Sequence, residues 1–134
     1  KYNLGVLLSQ KSFAKHNYKK AYVLFNTLAK QEYANAQYKV GMFLLYGLGV
    51  DKDYKMAKQW LERAYFVNGY KRASCAIAMI YANGLGELQN LGRARNLSFD
   101  KIEKYPLCKK VFYEFKLYKD KYTKDKGFKF GYYK

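Results

Sequence analysis

One proline stands in the 134 residues, Pro106. With so few breaks, most of the chain is open to helix formation. Two cysteines, Cys75 and Cys108, are too few for a disulfide framework, although one bridge between them is possible in an exported protein. One histidine, His16, and two distant cysteines make no zinc set at any usual spacing. No run of about 18 apolar residues occurs, which excludes a membrane-spanning helix of the ordinary kind. Acidic residues are few: 10 Asp and Glu stand against 26 Lys and Arg, a net charge of +16. That field disfavours basic partners and favours an acidic protein, nucleic acid or anionic lipid.

Half of the residues are hydrophobic, enough for a packed core in one domain or one segment of a repeat array. The charge is uneven: residues 73–100 are neutral, whereas 101–134 carry +7. Lysine far outnumbers arginine, which suits diffuse attraction better than bidentate phosphate clamping. An AT-rich genome would also enrich Lys, Asn and Tyr. The chain opens on Lys1, and a removed leader is compatible with that start.

The sequence repeats. Tyr38-Lys39-Val40-Gly41 falls on Tyr2-Asn3-Leu4-Gly5 at an offset of 36, and Asp53-Tyr54-Lys55-Met56-Ala57 falls on Asn17-Tyr18-Lys19-Lys20-Ala21. At an offset of 37, Gly84-Leu85-Gly86 falls on Gly47-Leu48-Gly49, and Asn90 on Asp53. Val40, Phe43, Leu44 and Tyr46 have helical spacing, giving a first helix, helix A, that the glycine turn stops. Asp53 is placed to cap a second helix, helix B, whose stripe is Ala57, Trp60, Leu61 and Ala64. The cap recurs as Asn17 and Asn90. Small residues recur on helix A (Gly5, Gly41, Ala78) and on helix B (Ala21, Ala57, Ala94), where they let paired helices approach closely. Two helices per period of about 36 residues predict an all-α fold, an α-solenoid of about three helix–turn–helix repeats plus a C-terminal capping helix.

The expected organisation is a repeat array over 1–104, with copies at about 1–35, 36–72 and 73–104. A capping helix follows over 105–122, then a basic aromatic tail over 123–134. Helix pairs are expected near 1–14 and 18–33, 36–46 and 54–67, and 73–82 and 91–103, with a last helix near 107–122. In that last helix Cys108, Val111, Phe112, Phe115, Tyr118 and Tyr122 form a stripe. A cap over copy 3 is favoured over a basic amphipathic helix for a membrane or nucleic acid. If Trp60 is buried between copies, Trp60→Ala costs about 3–5 kcal/mol.

Ala36, Val40-Gly41, Gly47, Gly49-Val50, Asp53, Ala57, Trp60 and Ala64 resemble the Sel-one-like repeat family, relatives of the tetratricopeptide repeat. The resemblance covers about residues 1–100. Copy 1 departs from it at Ser9 to Ala14, where both turn glycines are missing, and copy 3 has Lys101 in place of a small residue. The resemblance implies a bacterial adaptor, exported or periplasmic, that binds another protein. Some members are encoded beside type VI secretion lipase effectors as their periplasmic inhibitors, so it also implies an immunity protein as an alternative.

Chemistry is weakly represented. Ser12-Phe13-Ala14-Lys15 spells S-x-x-K, the nucleophile motif of penicillin-recognising enzymes, but no S-D-N or K-T-G accompanies it. A penicillin-interacting enzyme is therefore a minor alternative, and Ser12 is read as a loop residue. His16 is read as a solvated neighbour of Asn17. Gly47-Leu48-Gly49 and Gly84-Leu85-Gly86 are turn glycines, since no G-K-[ST] follows. No catalytic set, metal site or cofactor is expected. Lysines among the tail aromatics suit single-stranded nucleic acid, but no RNP-type motif supports that reading.

The resemblance to tetratricopeptide-like stacks implies that helix A lines a concave face. The residues expected there are Tyr2, Val6, Ser9 and Gln10 in copy 1; Tyr38, Met42, Leu45 and Tyr46 in copy 2; and Cys75, Met79, Ala82 and Asn83 in copy 3. Lys39 stands at the rim. Aromatics and Met are types enriched at interfaces. The competing reading fills this groove with the C-terminal helix and makes these residues core. Cys75 and Cys108 are expected to lie close enough for a bridge.

Overall fold

A computed structural model describes residues 15–119 of the chain. Among the described residues every regular element is a helix. We label them α1 (Lys15–Lys30), α2 (Ala34–Tyr46), α3 (Tyr54–Glu62), α4 (Arg72–Asn83), α5 (Leu91–Ser98) and α6 (Pro106–Glu114). A π-helical turn, Arg63–Val67, extends α3, and a 3-10 turn, Phe99–Lys101, extends α5. The helix expected near 1–14 lies outside the described residues. The chain divides into two compact units, one ending at Tyr70 and one beginning at Lys71.

In the first unit α2 packs against both α1 and α3. The buried stripes are Ala21, Phe25 and Ala29 of α1, Val40, Phe43 and Leu44 of α2, and Ala57, Leu61 and Ala64 at α3 and its π turn. Phe25 and Tyr18 meet the Phe43 ring edge-on, at 5.7 and 6.0 Å. A Cβ on Gly41 would stand 2.7 Å from Leu61 Cγ, so the bare backbone sets how closely α2 and α3 approach. At Gly49, φ is +69°, and a Cβ there would lie 2.4 Å from the Tyr18 carbonyl carbon. Only glycine meets both conditions.

The α2–α3 turn works as its sequence indicates. Gly47 takes the left-handed conformation and its N–H donates to Phe43 O. Leu48 N–H donates to the same oxygen at 2.9 Å, and Asp53 N–H to Leu44 O at 3.0 Å. Asp53 then caps α3, accepting from Met56 N–H at 3.0 Å. Asn17 does not cap in the same way; it lies inside α1, which is already helical at Lys15. Trp60 is likewise not core. It is half-buried, so the cost of Trp60→Ala expected for a fully buried ring does not apply.

The second unit repeats these bonds 37 residues on. Gly84 is left-handed and donates to Ile80 O. Leu85 N–H donates to Ile80 O at 3.0 Å, and Asn90 N–H to Tyr81 O at 2.9 Å. Asn90 Oδ1 accepts from Arg93 N–H at 2.9 Å. Here α6 packs against both α4 and α5. Cys75 of α4 and Cys108 of α6 form a disulfide, with their Cα atoms 4.7 Å apart.

Helix α6 is shorter than expected. It ends at Glu114, not near 122. Lys116 adopts a left-handed φ of 53°, and Leu117 N–H reaches back to Phe112 O at 2.8 Å. This is a glycine-free version of the motif that closes helices. The turn carries Leu117 into full burial and leaves Tyr118 half exposed. Leu117 was absent from the expected stripe, and Tyr122 lies outside the described residues.

Candidate functional site

Tyr38, Met42 and Tyr46 recur every four residues along α2, so they share one helix face. The residues beside this stripe, Gly41, Phe43 and Leu44, are buried and anchor the helix. Tyr38 is half-buried and its ring lies 5.4 Å from that of Tyr70, tilted by 46°. Met42 and Lys39 are half-buried, and Tyr46 is 50% exposed at the helix end. Leu45 is not part of this surface: at 2% exposure it is core, beyond a partner's reach. Tyr2, Val6, Ser9 and Gln10 lie outside the described residues, as does Ser12.

The matching face of α4 in the second unit is different. Cys75 is fully buried in the disulfide, so α6 covers the face at that level. Ala82 is also buried. Met79 is half-buried, and Asn83 is exposed and donates its amide to Met79 O at 3.0 Å. For copy 3, then, the C-terminal helix fills part of the face that tetratricopeptide-like stacks leave open.

A polar network fixes the α1–α2 corner. Glu32 is left-handed, with φ 67°. Its carboxylate accepts from Arg63 Nε at 3.0 Å, Arg63 Nη2 at 2.7 Å and Asn68 Nδ2 at 3.2 Å. Buried Gln37 donates to Glu32 at 3.3 Å and to Ala29 O at 3.1 Å, and accepts from Asn68 at 2.9 Å. These bonds, Arg63 first and then Asn68, pull the Glu32 carboxyl down from its ordinary value to about 2. At the 37-residue offset Gly69 stands where Glu32 stands, left-handed at φ 69°.

Sequence reasoning missed a cleft. Tyr22, Asn26 and Lys30 of α1 face Met56, Gln59, Trp60 and Arg63 of α3 and its π turn across a cleft of about 540 Å³. Both sets have helical spacing, beside the buried alanine stripes. The signal was present in Trp60, which the periodicity placed in the core. Among the described residues no group of three His, Cys, Asp or Glu could hold a metal ion. Among them, too, no helix is long and apolar enough to cross a membrane.

Two helices per period, the glycine turn and the Asp/Asn cap recur bond for bond, and the Sel1 repeat model matches residues 1–33, 34–65 and 71–97. The chain belongs to the Sel1 repeat family. The third Sel1 match stops at 97, next to the end of α5 and before Lys101. A similar solved structure is the crystal structure of c5321, a protective antigen present in uropathogenic Escherichia coli strains that displays an SLR fold. It is 25% identical, with a TM-score of 0.77 over 91% of this chain. This chain spans 26% of that protein's length. A comparison with curated proteins finds no match. Sel1 repeats generally mediate protein–protein interaction, and a protein is the partner class they suggest here.

Proposed function

We propose that this Sel1 protein is a non-catalytic, stoichiometric binder of an acidic protein in the bacterial envelope. The observation that carries the proposal is the α2 face, where Tyr38, Met42 and half-exposed Tyr46 align with Lys39 alongside. Tyrosine and methionine contribute contact area, and a basic rim speeds capture of an acidic target. The net charge of +16 acts in the same direction. The disulfide supports an oxidising location, since such bonds persist in exported proteins. The similar c5321 is a protective antigen, which accords with export.

The test is photo-crosslinking from position 46 in the source cells. A benzophenone amino acid at Tyr46 should give one discrete adduct with an acidic protein. The same group at Leu88, a 91% exposed turn residue, should not. Equal adducts from both positions, or none from Tyr46, would overturn the assignment of the face. An immunity protein is the narrower version of this reading. It rests on the same occupancy mechanism, and it requires that the adduct be the product of a neighbouring effector gene.

A further inference from the structure

The cleft between α1 and α3 lies on the B-helix side, so it does not depend on the α2 face. Its apolar walls are Tyr22, Met56 and Trp60, and Met56 is 42% exposed. Lys30 and Arg63 bring cationic groups to it, and none of the residues lining it is acidic. The nearby acids temper that charge: Glu32 pairs with Arg63, and Asp53 acts on Tyr22, so Lys30 is the cation on which the sign of the cleft rests. Asp53 also caps α3, and Glu62 pairs with Lys58 at 3.7 Å. Tryptophan, tyrosine, methionine and arginine are the side chains enriched where proteins bind one another. A concave apolar floor with Lys30 at its edge is complementary to an apolar anchor flanked by a carboxylate.

We infer that this cleft is a second docking site, and that its occupant is an acidic, extended segment of a partner protein carrying a leucine or phenylalanine anchor. The anchor covers Trp60 and Met56, and a flanking carboxylate pairs with Lys30.

Trp60 is the one tryptophan in the chain, which makes intrinsic fluorescence a reporter of this cleft alone. The probe is a tryptophan-free peptide, acetyl-Asp-Glu-Leu-Phe-Glu-Asp-amide, titrated into the full chain. Saturable change in Trp60 emission is expected. Affinity should fall about tenfold or more, roughly 1.4 kcal/mol, with the Asn/Gln version of the peptide and with Lys30→Glu. Tyr46→Ala should leave it unchanged, which separates this site from the α2 face. Amide shifts on peptide addition should map to α1 and α3. No saturable change in emission with no mapped shifts would overturn the inference. So would binding that Tyr46→Ala weakens and Lys30→Glu does not, since that peptide would sit on α2.

Discussion

A single methyl group on Gly41 would press into Leu61, which is fully buried and has little room to move. At the offset of 37, Ala78 and Ser98 stand in the corresponding places. The second unit carries a larger residue on helix A and a smaller one on helix B. Ser98 is buried with its hydroxyl donating to Ala94 O at 2.8 Å. Gly41→Ala should therefore cost about 1–3 kcal/mol. Combined with Leu61→Ala, which alone costs about 2–5 kcal/mol, the loss should be smaller than the sum. Urea unfolding of the four proteins in this cycle measures the coupling, and strict additivity would refute the close-packing account. Glu32 makes a different residue-scale claim. Its carboxyl is depressed, so its contribution is present above the ordinary carboxylate range and is lost as pH falls towards about 2. The melting-temperature gap between the wild type and Glu32→Gln should hold from pH 7 to about 5 and close in acid. A gap that persists at pH 2 would mean that the backbone, not the ionised carboxylate, sets the difference. Gly41 and Asp53 were legible in the sequence, because spacing alone placed them at a helix contact and a cap. Glu32 was not, since its partners Arg63 and Asn68 lie a full repeat away and no local pattern joins them.

Among elements, α6 departs from its sequence reading by ending early. Helical spacing located its start, and Pro106 falls at the first turn as such residues do. Its end was hidden, because the left-handed residue that stops it is Lys116 and not a glycine. Lys116→Gly should raise stability by up to about 1 kcal/mol, since glycine takes that conformation without steric cost. A lower urea midpoint would show that the lysine side chain earns its place through some other contact. Cys75–Cys108 ties α6 to α4 across 33 positions of sequence. Closing a loop of that size is worth about 3–4 kcal/mol by chain entropy. Reduction of the wild type, or Cys75→Ala/Cys108→Ala, should lower stability by about that amount and speed amide exchange in α6 first. Equal urea midpoints for oxidised and reduced protein would contradict the role given to this bridge. The Trp60 cleft escaped the sequence reading for a related reason. A periodic stripe says which side of a helix is apolar, but not where the packed stripe gives way to an open groove.

At the scale of the whole molecule, the sequence yielded the all-helical repeat fold, because its period, turns and caps agree with one another. Family membership makes a protein partner the natural expectation, and the charge of +16 suggests the sign of that partner. Neither names it. The α2 face is a surface whose meaning lies in a second molecule, and periodicity carries no record of that molecule. The Tyr2, Val6 and Gln10 positions of copy 1 belong to the same expected face but lie outside the described residues. The central claim is that the chain acts by occupancy through α2. The most direct measurement is titration calorimetry, over a salt series, of the acidic protein cross-linked at position 46. The account predicts one-to-one binding that weakens with salt. Tyr46→Ala should lose about 2 kcal/mol or more, and Lys39→Ala should chiefly slow association. Unchanged affinity and stoichiometry in Tyr46→Ala would contradict it.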